Sequence, residues 1–343
     1  MTLKTYIITR ILLTIPMIFI LLTAVFLIMR VLPGDPVMMH FDKMASPATV
    51  NAMRIQLGMN KPLWAQYFDY IVGLFQGNLG KSMQDNSPVA QQIFSAFPAT
   101  LELAICSMII AVLVGVLLGV QSSKSYNRPK DHAIRIFSIV TYAIPVFFLG
   151  MILQMVFGVG LHWLPTGGRI DPGMAPTGLT LGSIHIQTGL YTVDSLLEGN
   201  VVKFAQSVKY LILPSVTLGV VLSGIFIRLT RTNMFETMRL DFVTAAKARG
   251  LTDETVTYGY ALRNAFLPVL TMTGLQFALL LGGAVLTETT FSWPGLGRYL
   301  VDRISFRDYT AIQGAVVVFG LFVSLVSLGV DLLYAYLDPR IRL

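Results

Sequence analysis

Charge is scarce in this sequence. Only 13% of its 343 residues are Asp, Glu, Lys or Arg, 54% are hydrophobic, and mean hydropathy is +0.68. Soluble domains carry roughly 25% charged residues to coat their exterior, so surface chemistry excludes a water-soluble globule. Cysteine is nearly absent too. The single Cys106 excludes an intrachain disulfide and a cysteine metal cluster, and its place inside an apolar run points to packing. The four histidines, His40, His132, His162 and His185, lack metal-ligand spacing. No H-E-x-x-H or G-x-S-x-G pattern occurs. Gly77-Asn-Leu-Gly80-Lys81-Ser82 resembles the end of a phosphate-binding loop, but Phe75 stands where the first glycine belongs and no strand precedes it. The chain therefore shows no site for hydrolysing a nucleotide.

Long apolar runs dominate what is present. A helix needs about 20 apolar residues to cross a bilayer. Six stretches meet that need: 11–29, 103–123, 136–168 (one span plus a loop), 210–227, 264–287 and 309–330. In lipid every backbone N–H and C=O must be satisfied internally, so runs of this length are helices. A β-barrel would show short alternating segments instead. The first run follows Lys4 and Arg10 as a signal peptide would. It is too long for one and lacks a small-residue cleavage pattern, so it is expected to stay as an anchor.

Charge orients the spans. With the N-terminus inside, six spans place 124–135, 228–263 and the C-terminal tail inside as well. Those segments and the N-terminus hold 14 of the 25 basic residues but only 7 of the 18 acidic ones, which accounts for the whole net charge of +7. Lys/Arg excess marks the cytoplasmic face. Both termini are thus expected in the cytoplasm. The basic residues are spread over separate loops without interleaved aromatics, which argues against nucleic-acid binding.

Pro33, Gly34 and Pro36 are expected to stop the first helix. The external stretch to Pro98 contains helix-like apolar spacing over 48–57 and 63–75. A second external stretch, 161–209, alternates weakly over 180–192 and suggests a strand pair. Glu102, Glu288 and Asp331 lie near span ends, where acids reach the interface or pair with a cation. Trp64, Trp163 and Trp293 are expected to be interfacial anchors. Pro145, Pro214 and Pro268 lie in or at the edges of spans, as kinks or helix starts.

The most informative stretch is Asp241-Phe-Val-Thr-Ala-Ala-Lys-Ala-Arg-Gly-Leu251. Segment 228–263 reads as two helices broken near Gly250. Phe235, Met238, Phe242, Ala245 and Ala246 fall near one helical face. Gly250 suits a left-handed residue just past a helix end, with Leu251 as the apolar residue after it. The small Ala245 and Ala246 would let another surface approach closely, and an apolar face on an exposed segment fits a partner groove.

Taken with their context, these residues resemble the inner-membrane permease subunit of binding-protein-dependent ABC importers, and most closely the first permease of the dipeptide/oligopeptide branch. The superfamily's E-A-A-x-x-x-G loop matches Thr244-Ala245-Ala246 and Gly250, with Thr for Glu. Its I-x-L-P follow-up is similar to Ala265-Phe-Leu267-Pro268. Leu32-Pro-Gly-Asp-Pro36, Lys61-Pro-Leu-Trp64, Gly77-Asn-Leu-Gly80, Trp163-Leu-Pro-Thr-Gly-Gly168, Phe291-Ser-Trp-Pro-Gly-Leu-Gly297 and Asp338-Pro-Arg-Ile-Arg342 extend the likeness over nearly the whole chain.

The resemblance implies an all-α integral membrane protein of type I permease architecture. It would have six transmembrane helices, cytoplasmic termini and long external loops. Residues 1–98 would form an N-terminal region with the first span, and 99–343 a permease core with five. The implied partners are a second homologous permease, two ATP-binding subunits, an extracytoplasmic solute-binding protein and the lipid bilayer. Phe242, Thr244, Ala245, Ala246, Gly250 and Leu251 would couple to the ATPase. No cofactor and no covalent chemistry are implied. The implied cargo is peptides, with nickel complexes, glutathione or oligosaccharides as the branch's other solutes. A self-sufficient secondary transporter would want charges at span centres, and here charges avoid them.

Overall fold

The computed structural model describes residues 3–31, 37–38, 46–181 and 184–337. The turn at 32–36 and the tail from Asp338 to Arg342 lie outside the described residues, as does the side chain of Asp331. Among the described residues, five helices are long and apolar enough to cross a membrane, and a sharply bent helix pair makes a sixth.

Helix α1 (Leu3–Val31) carries the first apolar run. Two shorter helices follow, α2 (Pro47–Gln56) and α3 (Leu63–Phe75). Ser46 caps α2 by accepting from the Thr49 N–H at 3.2 Å, and Pro47 supplies a preset first turn. Both helices lie within the stretches whose apolar spacing predicts them.

The centre of the bundle is α4 (Val89–Lys124) against α8 (Val201–Thr237). Apolar matching cannot drive two helices together in lipid, so close backbone approach at small residues must. Gly115 and Gly119 are four apart on α4. A Cβ at Gly119 would lie 2.6 Å from Thr230 Cβ, and one at Gly115 would collide with Phe226. Gly219 of α8 returns the contact, 2.6 Å from Ile110 Cγ2. The pairs 110/219, 115/226 and 119/230 advance together, so the two helices run parallel.

The third span is not the single straight segment that 136–168 suggests. Helix α5 (Pro129–Ala143) ends at Ile144, and α6 (Val146–Leu153) starts after Pro145 and runs into a π-helical turn, Gln154–Gly160. The two halves bend by 102°. The cause is local. The Pro145 ring pushes the preceding residue out of the helical region, and Ile144 is extended at φ −71°, ψ 128°. Pro214 and Pro268 behave differently: each sits inside a helix rather than at its start.

A short antiparallel pair, β1 (Leu179–Leu181) and β2 (Ile184–Ile186), forms within the expected 180–192 region, with Thr180 opposite His185. Helix α7 (Tyr191–Leu197) leads into α8. After α8 come a short helix α9 (Asp241–Ala248), a π-helical turn Thr255–Ala261 and α10 (Leu262–Gly283). Then come α11 (Val285–Thr290), α12 (Leu296–Ser305) and α13 (Tyr309–Leu337). Helix α13 lies antiparallel to α1, with Leu21 against Gly320 and Val25 clustered with Val317.

Candidate coupling site

Helix α9 exists because the chain breaks on both sides of it. Helix α8 stops at Thr237, and Leu240 is extended at φ −76°, ψ 149°. Asp241 sits in the first turn of α9 and Lys247 in the last, each matching the sign of the helix dipole there. Gly250 ends it at φ +75°. Its N–H donates to Lys247 O at 2.9 Å, and the Leu251 N–H donates to Ala246 O at 3.4 Å. That pair of bonds is a Schellman cap. No heavy atom lies within 4 Å of a Cβ built on Gly250. Glycine is needed there for its backbone angle alone.

The six residues singled out in the sequence divide between two faces. Ala246 is only 3% exposed and Val243 only 1%. They cluster with Val120 of α4, Met234 of α8, Val256 and Ala261 of the π-helical turn, and Ala265 of α10, with Phe242 and Leu251 half-buried at the edge. Asp241, Thr244, Ala245, Lys247, Ala248, Arg249 and Gly250 face outward. The apolar face is therefore covered by this chain's own helices. Of the two alanines, only Ala245 is open to another protein. Phe235 is also partly covered: it stacks on Tyr126 with ring centroids 4.7 Å apart, and the Arg239 guanidinium lies 4.0 Å over its ring. A recess of about 330 Å³ remains beside α9, lined by Lys124, Phe235, Met238, Arg239, Asp253 and Thr257 among others.

An ion pair that in the sequence shows only as loop charge holds this end together. Asp131, fully buried at the start of α5, accepts from Arg231 Nε at 2.8 Å and Nη2 at 2.9 Å. It also accepts from the Ser122 hydroxyl and from the Asn127 N–H at 3.1 Å. Every lone-pair direction of the carboxylate is used, the condition under which a buried charge is tolerable. The signal available in sequence was an acid in the first turn after Arg128-Pro129, too generic to name its partner 100 residues away.

Glu102 and Glu288 are buried carboxylates at the opposite end. Glu102 accepts from Arg169 at 3.1 and 2.6 Å and from the Thr192 N–H and hydroxyl at 2.8 and 2.7 Å. Arg169 also lies 3.7 Å over the Tyr191 ring. Segment 161–209 is thus clamped onto α4. Glu288 pairs with no cation among the described residues. It accepts from the Thr100 hydroxyl at 2.6 Å and the Arg298 N–H at 2.9 Å, capping α12 from outside. Burial pushes its carboxyl above the usual carboxylate range, partly countered by those hydrogen bonds. Gly295 and Gly297 face the carboxylate so closely that side chains there would collide with it. Trp293 is fully buried rather than interfacial: its indole N–H donates to Ala99 O at 2.8 Å. The run from Glu288 to Gly297 is thus one structural lock. Its chemistry is spent internally, leaving neither carboxylate free for a solute or a proton relay. Trp64 and Trp163 are exposed, as anchors should be.

Residues 77–82 do not form a nucleotide-binding loop. The Ser82 hydroxyl donates to Asp308, the Met83 N–H donates to Asp308 Oδ1 at 3.1 Å, and Arg303 reaches Asp308 at 3.6 Å and Asp85 at 3.4 Å. The stretch docks on the turn between α12 and α13. Cys106 packs half-buried against the central core.

Comparison with known proteins agrees with this architecture. The family described as binding-protein-dependent transport system inner membrane component matches residues 111–343, and the family of its N-terminal part matches residues 3–104. The chain is 39% identical over 337 residues to a dipeptide transport system permease protein of Alkalihalophilus pseudofirmus, covering 98% of this chain and 99% of that one. It is 40% identical to a di/tripeptide transport system permease protein of Pseudomonas aeruginosa, with 98% of both chains covered. It is 37% identical to a glutathione transport system permease protein of Salmonella typhi, again over 98% of both. This multi-pass membrane chain belongs to the inner-membrane components of binding-protein-dependent transport systems.

Proposed function

We propose that the chain is one permease subunit of an ABC importer for short peptides, with both termini and α9 on the cytoplasmic side. The observation that carries the reading is α9 itself, a capped helix seated on the ends of α4, α8 and α10 with a small-residue outer face. Thr244 and Ala245 present that face to an ATP-binding subunit. Val243 and Ala246 transmit its movement inward, while Phe242, Gly250 and Leu251 fix the helix in its seat. A second homologous permease completes the pathway, two ATP-binding subunits drive it, and an external solute-binding protein loads it. Residues 1–98 act as the N-terminal region and 99–343 as the permease core.

Nucleotide can switch such a pathway only by binding its two conformations with different affinity. A helix packed on three others suits that role, because drawing it toward the ATPase tilts all three together. The relatives named for dipeptides, di/tripeptides and glutathione share one cargo chemistry, a short peptide with a free carboxylate.

The test is uptake of a labelled dipeptide into proteoliposomes holding this chain, its partner permease, the ATP-binding subunits and the solute-binding protein. ATP-dependent uptake, competed by unlabelled dipeptides, is expected. Uptake without ATP-binding subunits would overturn the importer reading. Uptake competed by glutathione but not by dipeptides would move the cargo to glutathione.

A further inference from the structure

A cavity of about 490 Å³ opens between the C-terminal end of α1, helix α3 and the start of α13. Its lining includes donors that no described residue satisfies well. Arg30 is half-buried and makes no ion pair or hydrogen bond to any described residue, and the Lys81 side chain makes none either. Gln313 Nε2 is shut off from solvent, with the Tyr70 hydroxyl as its neighbour and no strong partner. Among the described lining residues the one carboxylate, Asp69, is held by Lys61 at 2.6 Å. A half-buried cation without a described partner is costly, so Arg30, with the exposed Lys81 and the buried Gln313 amide beside it, calls for an anion.

The surroundings say where that anion comes from. Helix α3 has three faces. Gln66, Asp69, Tyr70 and Gly73 line the cavity at helical spacing. Tyr70, Ile71 and Leu74 pack on α1 around Leu22 and Val25. The third face is covered by no described residue: Trp64, Phe68, Val72 and Phe75 lie four, four and three residues apart and all are exposed, Trp64 by 76% and Phe75 by 77%. Beside the cavity, Leu27 and Ile28 of the lipid-crossing α1 are exposed as well. The mouth thus lies between two surfaces that bilayer would cover. Arg30 ends the apolar run of α1, at the depth where headgroups begin. An amphipathic helix with Trp and Phe on its open face is the form that lies in a membrane interface.

We propose that this cavity binds the phosphate headgroup of an anionic phospholipid, with Arg30 and Lys81 as its cationic ligands and α3 lying in the interface beside it. Arg30 offers the planar fork suited to phosphate oxygens, and Lys81 adds a point charge. Gln313 Nε2 supplies a neutral donor to the same group. The inference is independent of cargo and of orientation.

The test is native mass spectrometry of the full chain, carrying either phosphatidylglycerol or phosphatidylcholine. Phosphatidylglycerol should be retained in preference. Arg30→Gln and Lys81→Gln should each lower its occupancy about fivefold, while Lys81→Arg keeps it. Excess inorganic phosphate should not displace it, because the acyl chains contribute to retention. Melting in phosphatidylcholine separates lost binding from lost folding; if Arg30→Gln melts early, the exposed Lys81 carries the result. Equal retention of the two lipids, or unchanged occupancy in Lys81→Gln, would overturn the site. Displacement by inorganic phosphate would overturn the lipid assignment in favour of a soluble anion.

Discussion

Arg231 on α8 grips Asp131 on α5 with two parallel hydrogen bonds, 2.8 and 2.9 Å long, across 100 residues of sequence. The pair fixes the two helices to each other at the end of the bundle that carries α9. Removing one partner of a buried pair leaves an uncompensated charge and costs about 3 kcal/mol. Asp131→Ala should therefore lower the unfolding temperature in detergent markedly. Asp131→Asn, which keeps an acceptor, should lose less. Equal melting of Asp131→Ala and the unsubstituted protein would show that the pair contributes nothing.

The two alanines of α9 should respond differently to the same change. Ala245→Asp places a charge on an exposed surface. It should leave folding intact and abolish capture of the ATP-binding subunits in a pull-down. Ala246→Asp buries an unpaired carboxylate among Val120, Met234 and Val256, so it should destabilise the chain itself by about 3 kcal/mol. Unchanged pull-down by Ala245→Asp would remove the docking role from that face.

Gly250→Val tests the end of α9. Space is not limiting there, but φ +75° is. A β-branched residue held in that region costs on the order of 1–3 kcal/mol. Transport should fall, with recovery in Gly250→Asn, because asparagine tolerates left-handed backbone. Full transport in the valine variant would make the cap dispensable.

Glu288 predicts a pH dependence. Its folded carboxyl titrates above the unfolded value because it is buried. The folded state therefore binds the proton more tightly. The stability this gives is fully present below the unfolded value and is lost as pH rises through the folded one. Glu288→Gln should remove that slope. A neutral amide fits the site: its NH₂ can face Thr100 Oγ1 and its C=O can accept from the Arg298 N–H, the two partners the carboxylate has now. Glu288→Ala should also remove that slope, and should cost about 2 kcal/mol below the unfolded value, and less above the folded one, by leaving the donors unpaired. An identical pH slope in the glutamine variant would contradict the assignment.

Much of the fold was legible because bilayer physics makes it so. Five apolar runs became long helices, and the cap at Gly250 was visible in the order of residues alone. What stayed hidden depended on partners distant in sequence. Nothing in Asp241–Leu251 says that Val120, Met234 and Val256 cover its apolar side, so Ala246 looked available when it is not. The pairing of Glu102 with Arg169, and the burial of Trp293 on Ala99, needed the fold before they could be seen. Gly115 and Gly119 carried a readable spacing, but only the position of Phe226 and Thr230 shows what it is for.

The elbow at Pro145 limits how this protein can move. A proline ring has no amide hydrogen to give back to the helix, and it disfavours a helical Ile144 before it, so the bent form is the cheap one there, although Pro214 and Pro268 sit inside continuous helices. A swing between open and closed shapes is then carried most cheaply by intact rods leaning against one another around that corner.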